Sequence, residues 1–384
     1  MQIIFDIGIW NIFLFSLFLL ILTAAFYYVR KMQYLRLKNQ ISKQKLRAVK
    51  LIIAVCLSLF ASLRLIGPDG LGGMDAIHYE YFFYSATGNF FDYLNTRGIE
   101  PLLLAFYYVV RLFTSDFRIA QFIFYLILIG LFFKASSKLD YDEKNKYVYL
   151  TFATAFLVAF CLVRNKLALA FGWLSLLYLI EGNNKKALLW VVPAILSHYS
   201  AAIILVTIIA YNFFKTTKLE LSAVVAFCVA LLPVIYFMIL LVGYFVFSGR
   251  LAVYHHTGSF AIPTNLFRVA FLVFMIRCYN RDKTNERLKG GIIIFATSLF
   301  IVPLQLFAGI SYRMMYFYFI CIPIMVLSLQ KTQFRGELLS KADVLKVEQS
   351  KRAGYITAYV YYAYAVVAFL ISAAVAYGLY PYRL

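Results

Sequence analysis

Charge is scarce in this 384-residue chain. Asp, Glu, Lys and Arg together make up 14% of it, and only 17 acids stand against 37 Lys and Arg. A soluble domain carries about a quarter of its residues as charges, so an ordinary globular core is excluded. Cysteine is rare too. Cys56, Cys161, Cys228, Cys278 and Cys321 lie in or at the ends of apolar runs, without the spacing of metal ligands, and read as small packing residues. The N-terminus lacks the basic n-region and the small-x-small cleavage site of a signal peptide, so it is expected to be retained. No internal repeat is visible, which weighs against the transporter folds that are built from repeats.

Apolar side chains fill the space. The chain is 63% hydrophobic and 19% aromatic, with a mean hydropathy of +0.80. That is the composition of a polytopic membrane protein. A net charge of +20 could suit nucleic acid. Here, however, the basic residues sit in short loops between apolar runs, where they set orientation and meet anionic membrane lipids, so no nucleic-acid partner is expected.

Apolar runs predict helices near 5–29, 48–66, 101–113, 118–134, 148–163, 167–180, 187–213, 219–247, 266–277, 290–309, 314–329 and 354–380. The expected fold class is an all-α polytopic integral membrane protein with about 11–13 transmembrane or re-entrant helices, forming a single domain over 1–384. Segments 30–50, 277–289 and 330–352 are basic and expected to be cytoplasmic. The first of these has no acid, which puts the N-terminus outside. The last is amphipathic and expected to lie on the inner leaflet.

Two segments leave the threading open. The run 101–113 is short for a span, and 187–213 is long and holds Pro193 with Ser197-His198 near its middle. In one arrangement 101–113 is interfacial or re-entrant and 187–213 is a hairpin of two short helices. In the other, 101–113 crosses fully and 187–213 is one kinked span. The second arrangement moves Lys134, Lys138, Lys144, Lys146, Lys185 and Lys186 outside, so the positive-inside rule favours the first.

Residues 67–100 form the long periplasmic loop of this reading. They hold Asp69, Asp75, Glu80, Asp92, Glu100, Arg97, His78 and a series of aromatics. A connector needs only a handful of residues, so a loop this long is expected to have a function. Carboxylates, aromatic faces and a nearby Arg are the groups that handle sugars and phosphates. Asp75 follows Gly72-Gly73, with Tyr79 close behind. Glu100 precedes Pro101, where an acid also complements a helix dipole.

Further polar groups are expected on the same outer side. Arg164-Asn165-Lys166 interrupts the apolar stretch 148–180. These two cations could snorkel to lipid phosphates or hold a pyrophosphate. Arg313 and Arg64 raise the same choice. His198 lies between apolar runs, where an ionisable side chain is costly and marks a functional position, unless it is a neutral His bonded to a backbone carbonyl. His255-His256 reads as a solvated loop pair, without the third ligand that zinc needs.

In order along the chain, Gly73-Met74-Asp75-Ala76-Ile77-His78-Tyr79, Glu100-Pro101, Arg164-Asn165-Lys166-Leu167-Ala168, His198-Tyr199-Ser200-Ala201, and Arg313 with Tyr316 and Tyr318 resemble the EpsG / Wzy-like family of bacterial exopolysaccharide and O-antigen polymerases. Lys166 and His78 depart from the polar residues expected at their positions. The resemblance implies a GT-C-like glycosyltransferase bundle in the bacterial inner membrane, with its active site facing the periplasm. It implies a donor glycan on undecaprenyl pyrophosphate and, as acceptor, the terminal sugar of another undecaprenyl-pyrophosphate-linked repeat unit. A chain-length-determining co-polymerase would be a further partner. No nucleotide sugar, cofactor or metal is implied, and the outer segments carry no Asp-x-Asp motif.

On that resemblance the catalytic candidates are Glu100, His198, Arg164 and Asp75. Glu100 or His198 would be the base, Asp75 would orient sugar hydroxyls, and guanidinium groups would stabilise the departing pyrophosphate. The substrate-binding candidates are Arg313, Arg64, Arg97, Lys166, Tyr79 and His78. An O-antigen ligase, a lipid-linked oligosaccharide flippase or transporter, and a membrane acyltransferase are the alternatives.

Overall fold

The computed structural model describes residues 9–64, 73–96, 99–141, 143, 146–160, 162–217, 219–237, 261–281, 283–306 and 308–330. These residues are helical, with no strand among them. The basic segment from 331 onward, the apolar run 354–380, His255-His256 and Arg97 lie outside the described residues. The chain is an all-α polytopic membrane protein. Among the described residues, four helices, at Phe117–Ser137, Val163–Ile180, Tyr199–Thr216 and Glu286–Leu304, are long and apolar enough to cross a bilayer.

The described residues pack as two compact units. The first comprises residues up to 174 with 190–199, and the second comprises 175–189 with 200 onward. In the first unit, α1 (Ile9–Leu37) is followed by α2 (Lys43–Ser62), which starts where the Ser42 side chain accepts from Lys45 N. Next come α3 (Gly73–Tyr84), α4 (Phe90–Thr96), α5 (Pro101–Arg111) and α6 (Phe117–Ser137). After a 3₁₀ turn at Lys146–Tyr149 follow α7 (Leu150–Val158) and α8 (Val163–Ile180), whose residues from 175 on belong to the second unit.

The stretch 67–100, expected as a loop, therefore contains two helices. The physical reason is aromatic spacing. Tyr79 and Phe83, four apart on α3, are both buried, while His78, Tyr81 and Tyr84 are exposed. Gly88, at φ +76°, turns the chain between α3 and α4, and its carbonyl accepts from Tyr108 Oη of α5 at 2.9 Å. Ala86, Tyr93 and Leu104 form the shared core of this cap.

Hydrogen bonds at both ends fix the threading of the first unit. At one end Arg64, just past α2, donates to Gln121 Oε1 in the first turns of α6 at 2.9 Å. At the other, Gln33 Nε2 of α1 donates to Phe133 O at 3.1 Å, and Arg30 Nη2 donates to Leu139 O at 2.6 Å. Tyr34 stacks on Tyr141 with centroids 4.3 Å apart. So α6 runs antiparallel to α2, and it begins at the end where α2 finishes. The helix α5 starts and stops at that same end. Its 11 residues reach about 16 Å, too short for a bilayer core.

The run 187–213 is broken. The helix α9 (Asn184–Ser197) ends in a 3₁₀ turn at Tyr199–Ala202, and α10 (Ile203–Thr216) follows. In the second unit, Asn184 Nδ2 donates to Asn212 Oδ1 at 3.1 Å, which sets the first turn of α9 beside the last turns of α10. This is a helical hairpin with its apex at 198–202, the geometry of the first arrangement weighed above. The second unit continues with α11 (Leu221–Ala230), α12 (Ala261–Arg281) and α13 (Glu286–Thr297). A 3₁₀ stretch (Ser298–Leu306), α14 (Ala308–Tyr318) and α15 (Cys321–Gln330) complete it. Gly291 lets α13 approach α15 closely, since a Cβ there would lie 2.8 Å from Met325 Cγ.

Candidate active site

Three separated segments of the first unit meet at one carboxylate. Glu100 occupies the N-cap of α5, yet its side chain caps nothing there. Pro101 at the first helical position removes one backbone donor, and the carboxylate is turned to other partners. Glu100 Oε2 accepts from Arg164 Nη1, in the first turn of α8. Glu100 Oε1 accepts from the Tyr199 backbone N–H at 3.1 Å and lies 3.8 Å from His198 Nδ1, at the apex of the helical hairpin. The Glu100 side chain is 6% exposed, His198 12% and Arg164 22%.

The same break that ends α9 delivers His198. Pro193 lies inside α9, and Ser197 Oγ back-bonds to its carbonyl at 2.7 Å. The helix ends at Ser197, so the His198 imidazole and the Tyr199 N–H that Glu100 accepts both follow directly on its last turn. From α3, the buried Tyr79 phenol is hydrogen-bonded to the Arg164 guanidinium.

The electrostatics of Glu100 follow from these neighbours. Burial pushes its pKa up, but the Arg164 guanidinium, His198 and the backbone N–H groups of Glu100 and Tyr199 outweigh it. The carboxyl is held below its ordinary value of 4.5. It is an anion at neutral pH. A carboxylate facing Nδ1 favours the proton on that nitrogen and leaves Nε2 of His198 as an acceptor.

The remaining candidates are distributed as follows. Lys166 is fully buried in the first turn of α8, beside Arg164. Arg64 is buried among protein acceptors of its own. It donates to Gln121 Oε1, Ala61 O and Phe160 O, and lies 4.8 Å from the Phe160 ring centroid. His78 is exposed on α3, away from the buried face that carries Tyr79. Arg313 is half-buried on α14, in the second unit. The backbone of Asp75 lies in α3, but its side chain, like Arg97, is outside the described residues. Sequence reasoning gave no part to the Tyr199 N–H or to Gln121. A polar Gln inside the apolar helix 118–134 was the available signal for the second. A backbone donor leaves none.

The EpsG family model matches residues 47–384, nearly the whole chain. The chain belongs to the EpsG family. Family membership implies a glycosyltransferase-type polysaccharide polymerase of the exopolysaccharide kind. No curated protein and no solved structure matches the chain. Every residue of the Glu100 cluster, from Tyr79 to Tyr199, falls inside the matched range.

Proposed function

We propose that this EpsG-family protein extends a polysaccharide at the periplasmic face of a bacterial inner membrane. It transfers a growing glycan from undecaprenyl pyrophosphate to the terminal sugar of another undecaprenyl-pyrophosphate-linked repeat unit. One observation carries the proposal: a cation, a carboxylate and an imidazole from three separate segments, Arg164, Glu100 and His198, meet in one partly exposed cluster. Each group has a part in glycosyl transfer to a hydroxyl.

In the proposed reaction the acceptor hydroxyl oxygen attacks the anomeric carbon of the donor sugar. The bond between that carbon and the pyrophosphate oxygen breaks. His198 Nε2 takes the hydroxyl proton, with Glu100 orienting the ring and balancing the imidazolium. Glu100 is itself a poor base, because its neighbours hold it ionised. Arg164 stabilises the charge that grows on the departing undecaprenyl pyrophosphate. Lys166 would add to the positive field in the same turn. Asp75, Arg97 and Arg313 remain proposed sugar- or phosphate-binding groups on the strength of the family resemblance.

The test is Arg164→Ala in cells that make the polymer. The variant is expected to reach the membrane at the wild-type level and to leave single repeat units in place of a ladder. A wild-type ladder would contradict the assignment.

A further inference from the structure

The bonding at Arg164 and Glu100 is incomplete on both sides. Arg164 gives Nη1 to Glu100, but its Nε is buried with no hydrogen-bond partner among the described residues. The next residue, Asn165, is 2% exposed, and both polar atoms of its carboxamide lack a partner among the described residues. Buried polar atoms without partners are costly and uncommon, and an unfilled ligand position is one established reason for them. The first turn of α8 thus holds donors that protein acceptors do not use. On the other side, Glu100 Oε1 stops 3.8 Å from His198 Nδ1, beyond hydrogen-bond length. Its bond to Tyr199 N, at 3.1 Å, holds that oxygen beside the imidazole whichever partner Oε2 takes.

We infer that the Arg164–Glu100 ion pair is an exchangeable latch: a diphosphate takes Arg164 from Glu100, and the released carboxylate, pivoting on the Tyr199 N–H, closes on His198 Nδ1. This rests on the polymerase reading for the source of the diphosphate, the lipid-linked donor. A diphosphate carries more charge than a carboxylate and offers several oxygens, so it can use Nη1 and the idle Nε together. The Asn165 amide, in the same turn, supplies a further donor. A hydrogen bond from Nδ1–H to the carboxylate fixes the tautomer that presents Nε2 as acceptor. The base is therefore held more firmly in its acceptor tautomer once a donor is in place. An acceptor arriving first meets a carboxylate committed to Arg164.

Binding of inorganic pyrophosphate to the purified full-length protein, followed by calorimetry, tests the exchange. The variant Glu100→Gln removes the competing charge and keeps the shape. It is expected to bind pyrophosphate about ten-fold or more tightly than wild type, the scale of one charged hydrogen bond, while extending glycan more slowly. Asn165→Leu is expected to weaken binding in both backgrounds. Binding by Glu100→Gln that is no tighter than wild type, or no binding by either protein, overturns the latch. Should Glu100→Gln fail to fold, imidazole ¹⁵N resonances of the wild type decide. Pyrophosphate should move the His198 signal, assigned with His198→Gln, and a stationary signal overturns the latch. Chain extension is scored separately. A wild type that extends glycan without these responses refutes only the latch, whereas failure to extend refutes the polymerase reading.

Discussion

Glu100 illustrates how one residue can be read two ways from its position and a third way from its neighbours. Before Pro101 it looks like a helix-dipole acid. In a long polar segment it looks like a base. Surrounded by Arg164, His198 and the Tyr199 N–H, it is an ionised carboxylate held by partners from two other segments. The pH dependence has a definite sign. The pKa is lowered on folding, so its stabilisation is complete above the ordinary glutamate value of 4.5 and is lost as pH falls through the lower folded value. The stability gap between wild type and Glu100→Gln, measured by thermal unfolding in detergent, should persist from neutral pH to about pH 5 and close only under stronger acid. A gap that closes near neutrality would show that the pKa is not lowered. Arg64 makes the complementary case. It sits at a helix end like a substrate cation, but its donors serve Gln121 and two carbonyls. Arg64→Ala should cost about 1–3 kcal/mol for each acceptor it strands and reduce the yield of folded protein. A wild-type yield of this variant would contradict its structural role.

At the scale of elements, the short helices carry the topology. The helix α5 begins and ends at the same end of the first unit, and α9 and α10 form a hairpin whose apex brings His198 to Glu100. Cysteine labelling in a background with the native cysteines replaced tests this. Asn89→Cys and Ser115→Cys should react with an impermeant thiol reagent from the same side, and Glu143→Cys only from the other. Labelling of Asn89 and Ser115 from opposite sides would mean that α5 crosses. Much of this was legible from residues. The short apolar length of 101–113 and the Pro193, Ser197-His198 interruption marked the two irregular places, and charge favoured the arrangement with 134–147 beside 30–50. The helices inside 67–100 were harder to read. Their inward faces are Tyr and Phe in a chain that is 19% aromatic, so periodicity there is hard to separate from composition. The site was legible as a set of unusual polar residues: Arg164 and His198 stand out because an apolar surround makes them expensive. Their pairing was not legible. Arg164 and Glu100 are 64 positions apart, one in the first turn of α8 and the other at the start of α5, and no local pattern links the two.

For the whole molecule, scarce charge has a consistent distribution. Lys and Arg gather in connecting segments, and in the first unit the buried Arg64, Glu100 and Lys166 lie toward the end where α2 finishes and α5 begins, while Arg30 is buried at the other end. A membrane enzyme that draws two lipid-carried substrates from the bilayer needs such a polar end against an apolar flank. The most direct measurement is made with the purified protein and a defined undecaprenyl-pyrophosphate-linked repeat unit as sole substrate, without nucleotide sugar. Product length and released undecaprenyl pyrophosphate are counted together. The expected result is a ladder with one carrier released per glycosidic bond formed, abolished by Arg164→Ala. Intact substrate, or carrier release without any lengthening of the glycan, would contradict the assignment of this protein as the polymerase.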